Sequence, residues 1–425
     1  MVTVVAAGGL LAGWWPVYLM LRAHRSVQAI PLLAHVCGML AGYGVLVMIA
    51  LMSRHPALEQ GIGGDVLARW HARGGRAVVL LVGIHAWAAV TGWGQLRHIG
   101  TVSALWGVLE MPFLMTTTLG TVLLFAVAGA SIRAARRAVS FERWHGLHLL
   151  TYVSVALAFL HQLAGPDLAG HRVVQVSWAL LYVHVFWLAF RHRLLTPLRQ
   201  ASRHRLRVAA VVPEAPGVAS IVVEGQHLGE MGSLPGQFFR WRFLTPDLWA
   251  SAHPFSLSAP PTDTQLRLTV KALGDGTTRV QEVPVGTWVV AEGPYGALTA
   301  AKRMCGDVLL IAGGVGITPM RALFETIPVG PGRGLTLVYR ARFEEDLVFR
   351  AELEAIAAHR PNTRIIYIVG DAGEALTARG LQQMVPGLAD HDVYLCGPPG
   401  LSAAVRLHLR QAGVPSPHIH EESFS

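Results

Sequence analysis

Apolar and polar positions divide the chain into two textures. Through the first 195 residues, long apolar stretches fall at roughly 3–21, 33–52, 76–94, 107–130, 147–165 and 173–190, with short polar loops between them. A helix needs about 20 apolar residues to cross roughly 30 Å of hydrocarbon. The pattern therefore predicts a six-helix transmembrane bundle over residues 1–195. After residue 205 the period shortens. β-branched runs such as Val208–Val212, Ser220–Val223 and Leu266–Val270 alternate with Gly and Pro turns, which predicts an antiparallel β-barrel over 203–302. From 303 to 425, apolar runs at Val308–Ala312, Leu335–Tyr339, Arg364–Val369 and Val393–Cys396 alternate with helical stretches. That rhythm predicts an α/β domain with a parallel sheet and crossover helices.

Charge sharpens the division. Residues 1–195 hold 14 Arg, no Lys and five acids (Glu59, Asp65, Glu110, Glu142, Asp167), a net of +9, whereas residues 196–425 hold 21 basic and 21 acidic groups. The positive excess belongs to the apolar half alone, so it does not argue for nucleic acid. Arginines gather in the second and fourth loops (Arg54, Arg69, Arg73; Arg133, Arg136, Arg137, Arg143) and after the last stretch (Arg191, Arg193, Arg199, Arg203, Arg205, Arg207). The other loops carry only Arg22, Arg25, Arg97 and Arg172. Positive loops face the cytoplasm, so the expectation is a multi-pass protein of the cell (inner) membrane with both termini and the second half cytoplasmic. Nine of the twelve Trp precede residue 195, as suits side chains that favour bilayer interfaces. The first stretch begins at Val2 with no basic residue before it, which expects a retained helix and not a signal peptide. Cys37, Cys305 and Cys396 form no CxxC pair, so neither a disulfide framework nor a zinc site is expected.

Twelve histidines lie in the apolar half, where an imidazole is costly unless it is used. His71 and His85 are 14 positions apart, a step that returns to within about 40° of the same helix face and rises about 21 Å. Two such ligands suit two haems, one near each side of the membrane. His148 and His161 offer a similar step of 13 on a helix running the same way. On an ideal helix that step turns the second ring about 140° away, so a bulge, a kink or a tilted haem has to absorb it. His145 competes with His148 for the inner position. His24, His35, His55, His98, His171, His184 and His192 read as interfacial residues.

The second half carries cofactor signals. His253-Pro254-Phe255-Ser256-Leu257-Ser258 follows a strand opening at Pro235-Gly236-Gln237-Phe238; an extended run of backbone groups and hydroxyls can grip a flavin edge. Val270-Lys271-Ala272-Leu273-Gly274-Asp275-Gly276-Thr277-Thr278 brings glycines and threonines to a helix start, where a pyrophosphate is favoured. Leu309 to Pro319 reads as a buried strand, a turn of Gly313, Gly314 and Gly316, and a helix opening at Thr318 and Pro319. It is not a GxGxxG fingerprint, but glycines at a helix start still allow close approach of a phosphate. Arg340 and Arg342 end the next strand, where an arginine can pair with a 2′-phosphate. Cys396-Gly397-Pro398 ends a later strand, at the carboxyl edge where a ligand crevice is expected. Each segment alone reads equally well as an ordinary turn, surface arginine or buried cysteine.

Together these residues carry a resemblance. The first half, with Trp144-x-x-Leu147-His148-x-x-x-Tyr152, resembles the ferric reductase-like transmembrane domain, and the second half looks like the ferredoxin-reductase-type flavin and nicotinamide module. In full, the chain is similar to bacterial ferric reductase and NADPH oxidase-like proteins. The resemblance implies an NAD(P)H oxidase or ferric reductase-type enzyme carrying FAD and two haem b. Electrons would pass from NADPH (or NADH) to FAD, to the inner haem, to the outer haem, and on to an extracytoplasmic acceptor, either oxygen giving superoxide or a ferric chelate. It implies that His71 and His148 ligate the inner haem and His85 and His161 the outer. His253 to Ser258 with Val270 and Lys271 would bind FAD, and Gly274, Thr277 and Thr278 its pyrophosphate. Gly313 to Pro319 would hold the dinucleotide, with Cys396 near the nicotinamide and Phe424 covering the flavin. Two departures stand out: Ser425 follows Phe424, and Ala89 stands where superoxide-producing relatives often carry a further histidine. The partners expected are the lipid bilayer, NAD(P)H and the acceptor, with no nucleic acid and no obligatory protein subunit. The alternative is a membrane-anchored flavin reductase or a transport protein without a haem relay.

Overall fold

The computed structural model describes residues 2–23, 28–132, 141–371 and 373–423. Phe424 and the loop residues His24, Arg25, Arg133, Arg136 and Arg137 lie outside the described residues. The chain forms two compact units, 1–58 with 64–194, and 59–63 with 195–425.

The first unit is helical: α1 (Val2–Arg22), α2 (Ala29–Leu51), α3 (Gly64–Arg97), α4 (Thr101–Leu109), α5 (Leu114–Ala130), α6 (Phe141–Ala164) and α7 (Arg172–Phe190). Five helices among the described residues are long and apolar enough to cross a membrane: α1, α2, α3, α6, and α7 with the turns that continue it to His204. The expected stretch at 107–130 differs. It is broken into α4 and α5, bent by 108°, so the number of spans is five, or six if the bent pair is one. Pro112 explains the break. It lacks an N–H and drives the residue before it out of helical geometry, and Phe113 follows with a left-handed φ of 66°.

Small residues let these helices approach closely, the packing mode expected where lipid tails remove any hydrophobic drive between helices. A β-carbon on Gly120 of α5 would come within 2.8 Å of the Ser154 carbonyl oxygen of α6, and the Ser154 hydroxyl donates to the Gly120 carbonyl at 2.7 Å. The buried centre is α2 against α7, where Met39, Leu46 and Ile49 meet Trp178, Tyr182 and Val185. The polar atoms there are paired: Trp178 Nε1 donates to Gln162 Oε1 at 3.0 Å, and the Tyr182 hydroxyl lies 3.0 Å from the Gly42 carbonyl oxygen.

The second unit starts with α8 (Thr196–His204) and continues through β1 (Arg207–Ala215), β2 (Val218–Glu224), β3 (Phe238–Phe243), β4 (His253–Ser256), β5 (Gln265–Lys271), α9 (Asp275–Gln281) and β6 (Val289–Tyr295). Where the sequence predicts an antiparallel barrel, the strands lie in two three-stranded antiparallel sheets, β1-β2-β5 and β4-β3-β6. Single bridges Arg207–Trp288 and Leu257–Leu268 connect the two. Strict alternation in β3 turns Phe239, Trp241 and Phe243 into a shared core and leaves Arg240 and Arg242 on the other face.

A parallel sheet follows, in order β11-β10-β7-β8-β9, from β7 (Asp307–Gly313), β8 (Leu335–Ala341), β9 (Thr363–Val369), β10 (His391–Gly397) and β11 (Ile419–Ser423), with α10 (Ile317–Thr326), α11 (Arg350–His359), α12 (Ala378–Met384) and α13 (Pro399–Gln411). Its central strands are apolar at nearly every position, as a sheet covered on both faces requires. The order reverses between β7 and β10, which makes their carboxyl ends the switch point where α/β sheets open a crevice.

One ion-pair network ties the antiparallel strands to the parallel domain. Arg267 of β5 grips both oxygens of Glu352 of α11, at 2.8 and 2.9 Å, and Arg321 of α10 donates to the same carboxylate at 2.8 Å. Burial pushes the Glu352 carboxyl up, but hydrogen bonds and charge from the two arginines outweigh it and hold the group below the usual carboxylate range. Its stabilisation is therefore present above the unfolded carboxylate range and is lost as pH falls through the lower folded value. Glu352→Gln is expected to destabilise this unit by about 1–2 kcal/mol, discounted because the carboxylate is partly solvated. Thermal unfolding of the full chain should show the loss at pH 7, and the gap between variant and wild type should close in acid.

Candidate functional site

Two imidazole pairs lie between α3 and α6. The ring centroids of His71 and His148 are 5.9 Å apart, and those of His85 and His161 are 6.2 Å apart. His148 thus faces His71, and His145 lies against Trp144. Trp144 also stacks on His148 at 5.1 Å. The 13-residue step from His148 to His161 is met without a break in α6, which is helical from Phe141 to Ala164.

Helix α2 fixes the α3 rings. His71 Nδ1 donates to the Met48 carbonyl at 3.2 Å, and His85 Nδ1 donates to the Ala34 carbonyl at 2.7 Å. Met48 and Ala34 are themselves 14 positions apart, so antiparallel α2 offers an acceptor at each level. Met48 is among the last four carbonyls of α2, which lack helical partners. Gly38 makes room for the other ring: a β-carbon there would stand 2.8 Å from His85 Nδ1. Because a carbonyl only accepts, the proton sits on Nδ1 and the Nε2 lone pair is left open, the arrangement of a metal-ligating histidine. On α6, the buried Nδ1 of His148 has no hydrogen-bond partner among the described residues. Near the second pair, His35 Nδ1 meets Asp167 Oδ2 at 2.9 Å, and the Asp167 charge acts on both His85 and His161. Sequence reading leaves His35 as a plain interfacial residue; a histidine and the one acid of the fifth loop, 132 positions apart, give no local signal of pairing.

The flavin signals come together in the second unit. β4 is His253–Ser256, antiparallel to β3, with His253 and Phe255 stacked at 6.0 Å. A β-carbon on Gly276 would meet the His253 ring at 3.2 Å, so the glycine turn opening α9 lies against the HPFSLS strand. Several predicted side chains are otherwise engaged. Leu257 and Val270 are fully buried in the core, and the Ser258 hydroxyl accepts from Thr269 at 2.8 Å. The Thr277 hydroxyl accepts from the Leu273 and Gly274 amides at 2.8 and 3.1 Å, and the Thr278 hydroxyl donates to the Gly274 carbonyl at 3.1 Å. Lys271 pairs with Asp346 at 3.4 Å. These groups shape the turn and strand, leaving backbone, the Pro254–Phe255 surface and the Ser256 hydroxyl, buried without a partner among the described residues, to meet a ligand. Sequence reading misses Arg240, opposite Pro254 in β3. Burial draws its guanidinium below the ordinary value; its signal is the Phe-Arg-Trp-Arg-Phe alternation.

At the switch point, the glycine turn and Cys396-Gly397-Pro398 meet. A β-carbon on Gly316 would collide with the Cys396 carbonyl oxygen, and one on Gly313 with the Leu401 side chain. Gly314 takes a left-handed φ of 54°. Thr318 donates to the Val315 carbonyl at 3.1 Å, and Pro319 is buried within the first turn of α10. Cys396 is fully buried; burial, with Glu422 and Glu421 adding to it, raises its thiol well above the ordinary value. It is a neutral thiol and not a nucleophile. Of the two arginines at the end of β8, Arg340, within the strand, donates to the Gly370 carbonyl at 3.0 Å, while Arg342, just past it, is exposed. Phe424, expected to cover the flavin, lies outside the described residues.

Residues 37–159 match the family described as ferric reductase like transmembrane component, and residues 310–407 match the oxidoreductase NAD-binding domain. The chain is 31% identical over 229 residues to the ferredoxin reductase component of 3-ketosteroid-9-alpha-monooxygenase from Mycolicibacterium smegmatis, covering 52% of this chain and 65% of that protein. It is 29% identical over 241 residues to the glycine betaine monooxygenase reductase subunit of Chromohalobacter salexigens, covering 52% and 64%. The chain thus spans just under two thirds of the length of these relatives. Among solved structures, the FAD/NAD-binding domain of nitric oxide dioxygenase from Vibrio cholerae is 24% identical, with 52% of this chain and 98% of that one covered and a TM-score of 0.44.

Substituting Gly316→Ala is expected to destabilise the second unit by about 1–3 kcal/mol, the usual cost of overpacking. Gly400→Ala, with open space around its β-carbon, is the control. Equal melting temperatures for the two variants would contradict the close approach of the turn to Cys396.

Proposed function

We propose that this chain, in which a ferric reductase-like transmembrane component precedes an oxidoreductase NAD-binding domain, is a membrane oxidoreductase. It passes electrons from NAD(P)H by way of FAD and two b-type haems to an extracytoplasmic acceptor, oxygen or a ferric chelate. The observation that carries the reading is the matched pairing of His71 with His148 and His85 with His161 on two helices running the same way.

The residues fit haem. With metal–imidazole bonds of about 2 Å, an ion between two coaxial rings holds their centroids roughly 6 Å apart, and both pairs have that separation. Among the described residues no group of three or more His, Cys, Asp or Glu is arranged to hold a metal. A bare ion would lack ligands, whereas a tetrapyrrole iron needs only two. A haem held by two histidines would suit electron transfer over ligand chemistry at the metal. Bound haem would supply one-electron steps, and bound flavin the conversion of a hydride into single electrons.

In this reading His71 and His148 hold the inner haem and His85 and His161 the outer, the two α3 rings being oriented from α2. The segment His253 to Ser258 with Val270 and Lys271 holds the flavin, and Gly274, Thr277 and Thr278 shape the turn for its pyrophosphate. Gly313, Gly314, Gly316, Thr318 and Pro319 admit the dinucleotide to the crevice beside Cys396, Gly397 and Pro398. The exposed Arg342 is better placed than Arg340 to meet a 2′-phosphate. The buried, neutral Cys396 packs near the nicotinamide and excludes water. The arginine-rich loops favour a cytoplasmic second unit.

Purified protein is expected to hold two haems per flavin, and anaerobic NADPH should reduce flavin and haem bands together. Alanine at His71 or at His85 should each remove one haem and leave the other. Yellow protein without haem bands, or a His71/His148 double variant with full haem content, would reduce the chain to a membrane-anchored flavin reductase. Cytochrome c reduction sensitive to superoxide dismutase marks oxygen as acceptor; direct reduction of a ferric chelate under argon marks the other.

A further inference from the structure

Beyond α7 the helix widens into a π-helical segment, Arg191–Leu195. Such a segment re-aims the side chains within it and often marks a functional position. Arg193 is turned inward by it: Nη1 donates to the Tyr152 hydroxyl of α6 at 3.2 Å. Tyr152 lies four residues, one helical turn, beyond His148. The Arg193 charge acts on both His71 and His148. Among the described residues no arginine acts in the same way on His85 or His161; Asp167 acts on both, and His35 on His85.

Arg193 is half-buried in the apolar unit and makes no ion pair among the described residues. Of the five donors of its guanidinium, one meets a neutral hydroxyl, which leaves the fork open to an anion. Its fork matches a carboxylate or a phosphate. Two sources offer that chemistry, a side group of a tetrapyrrole or a lipid headgroup. Anchoring by Tyr152, one turn from a histidine of the inner pair, favours the former over a headgroup at the surface.

We infer that Arg193 binds a propionate carboxylate of the inner haem and thereby raises the reduction potential of that iron alone. The inference rests on the haem reading above. A cation beside the propionate offsets negative charge that would otherwise favour the ferric state, so removing it makes the inner iron harder to reduce.

Redox titration of the purified full chain in maltoside micelles, which carry no phosphate, tests this. The couple that disappears in His71→Ala identifies the inner haem. Arg193→Gln is expected to raise the ferric-to-ferrous ratio of that couple about tenfold at a fixed potential, a fall of about 59 mV for one electron, with the outer couple unmoved. Arg193→Lys should restore part of the shift. Should Arg193→Gln not fold, Arg193→Lys and Tyr152→Phe serve instead, each with a smaller shift of the same couple. Two haems retained with neither couple moved would overturn the inference, as would a shift seen only after phospholipid is added, which assigns the arginine to a headgroup. Wild-type protein without haem would instead defeat the haem reading.

Discussion

Two hydrogen bonds from imidazole nitrogens to the backbone of α2 constrain everything else in the membrane half. A histidine between apolar helices has many rotamers and two tautomers, and only one combination presents Nε2 toward a facing ring. By accepting from Nδ1 of His71 and His85, the carbonyls of Met48 and Ala34 select that combination at both levels at once. The cost is borne by α2, which needs a glycine at 38 to admit the ring and ends soon enough for Met48 to have a carbonyl to offer. The central position of α2, packed on α1, α3 and α7, follows from that role.

The spacing of His71 and His85 was legible in the sequence because a helix converts a step of 14 residues into a return to the same face; the step of 13 from His148 to His161 carried no such signal. What supports the rings was not legible. The acceptors come from α2, and nothing local in His71 or His85 points to Met48 or Ala34. His35 and Asp167 illustrate the same limit. The broken stretch at 107–130 was hidden by its even hydropathy, although Pro112 marks the point of failure. Apolar content reports whether a segment suits lipid, and only backbone chemistry reports whether it stays straight.

In the second half, the glycine positions were more informative than the hydroxyls. Gly313 and Gly316 are glycines because a β-carbon would meet the Leu401 side chain at one and the Cys396 carbonyl at the other, a constraint readable as a Gly-rich turn after a buried strand. Ser258, Thr277 and Thr278 read as ligand groups, yet each closes a hydrogen bond within its own turn or core. Short polar side chains near a turn compete for its backbone, and sequence alone does not tell which partner prevails. The Arg267–Glu352–Arg321 network was equally invisible, because it joins strands and helices from separate stretches of chain.

The bend at Pro112 bears on the parity of the bundle. Since α3 and α6 run the same way, the chain between them has to travel back through the depth that separates the two histidine levels, about 21 Å. Helix α5, with 17 residues, reaches about 25 Å, enough for that return though short of a full bilayer. A true re-entrant loop would invert α6 and set His161 opposite His71. With the histidine pairs matched as they are, the hinge shortens one leg of the path without changing its direction.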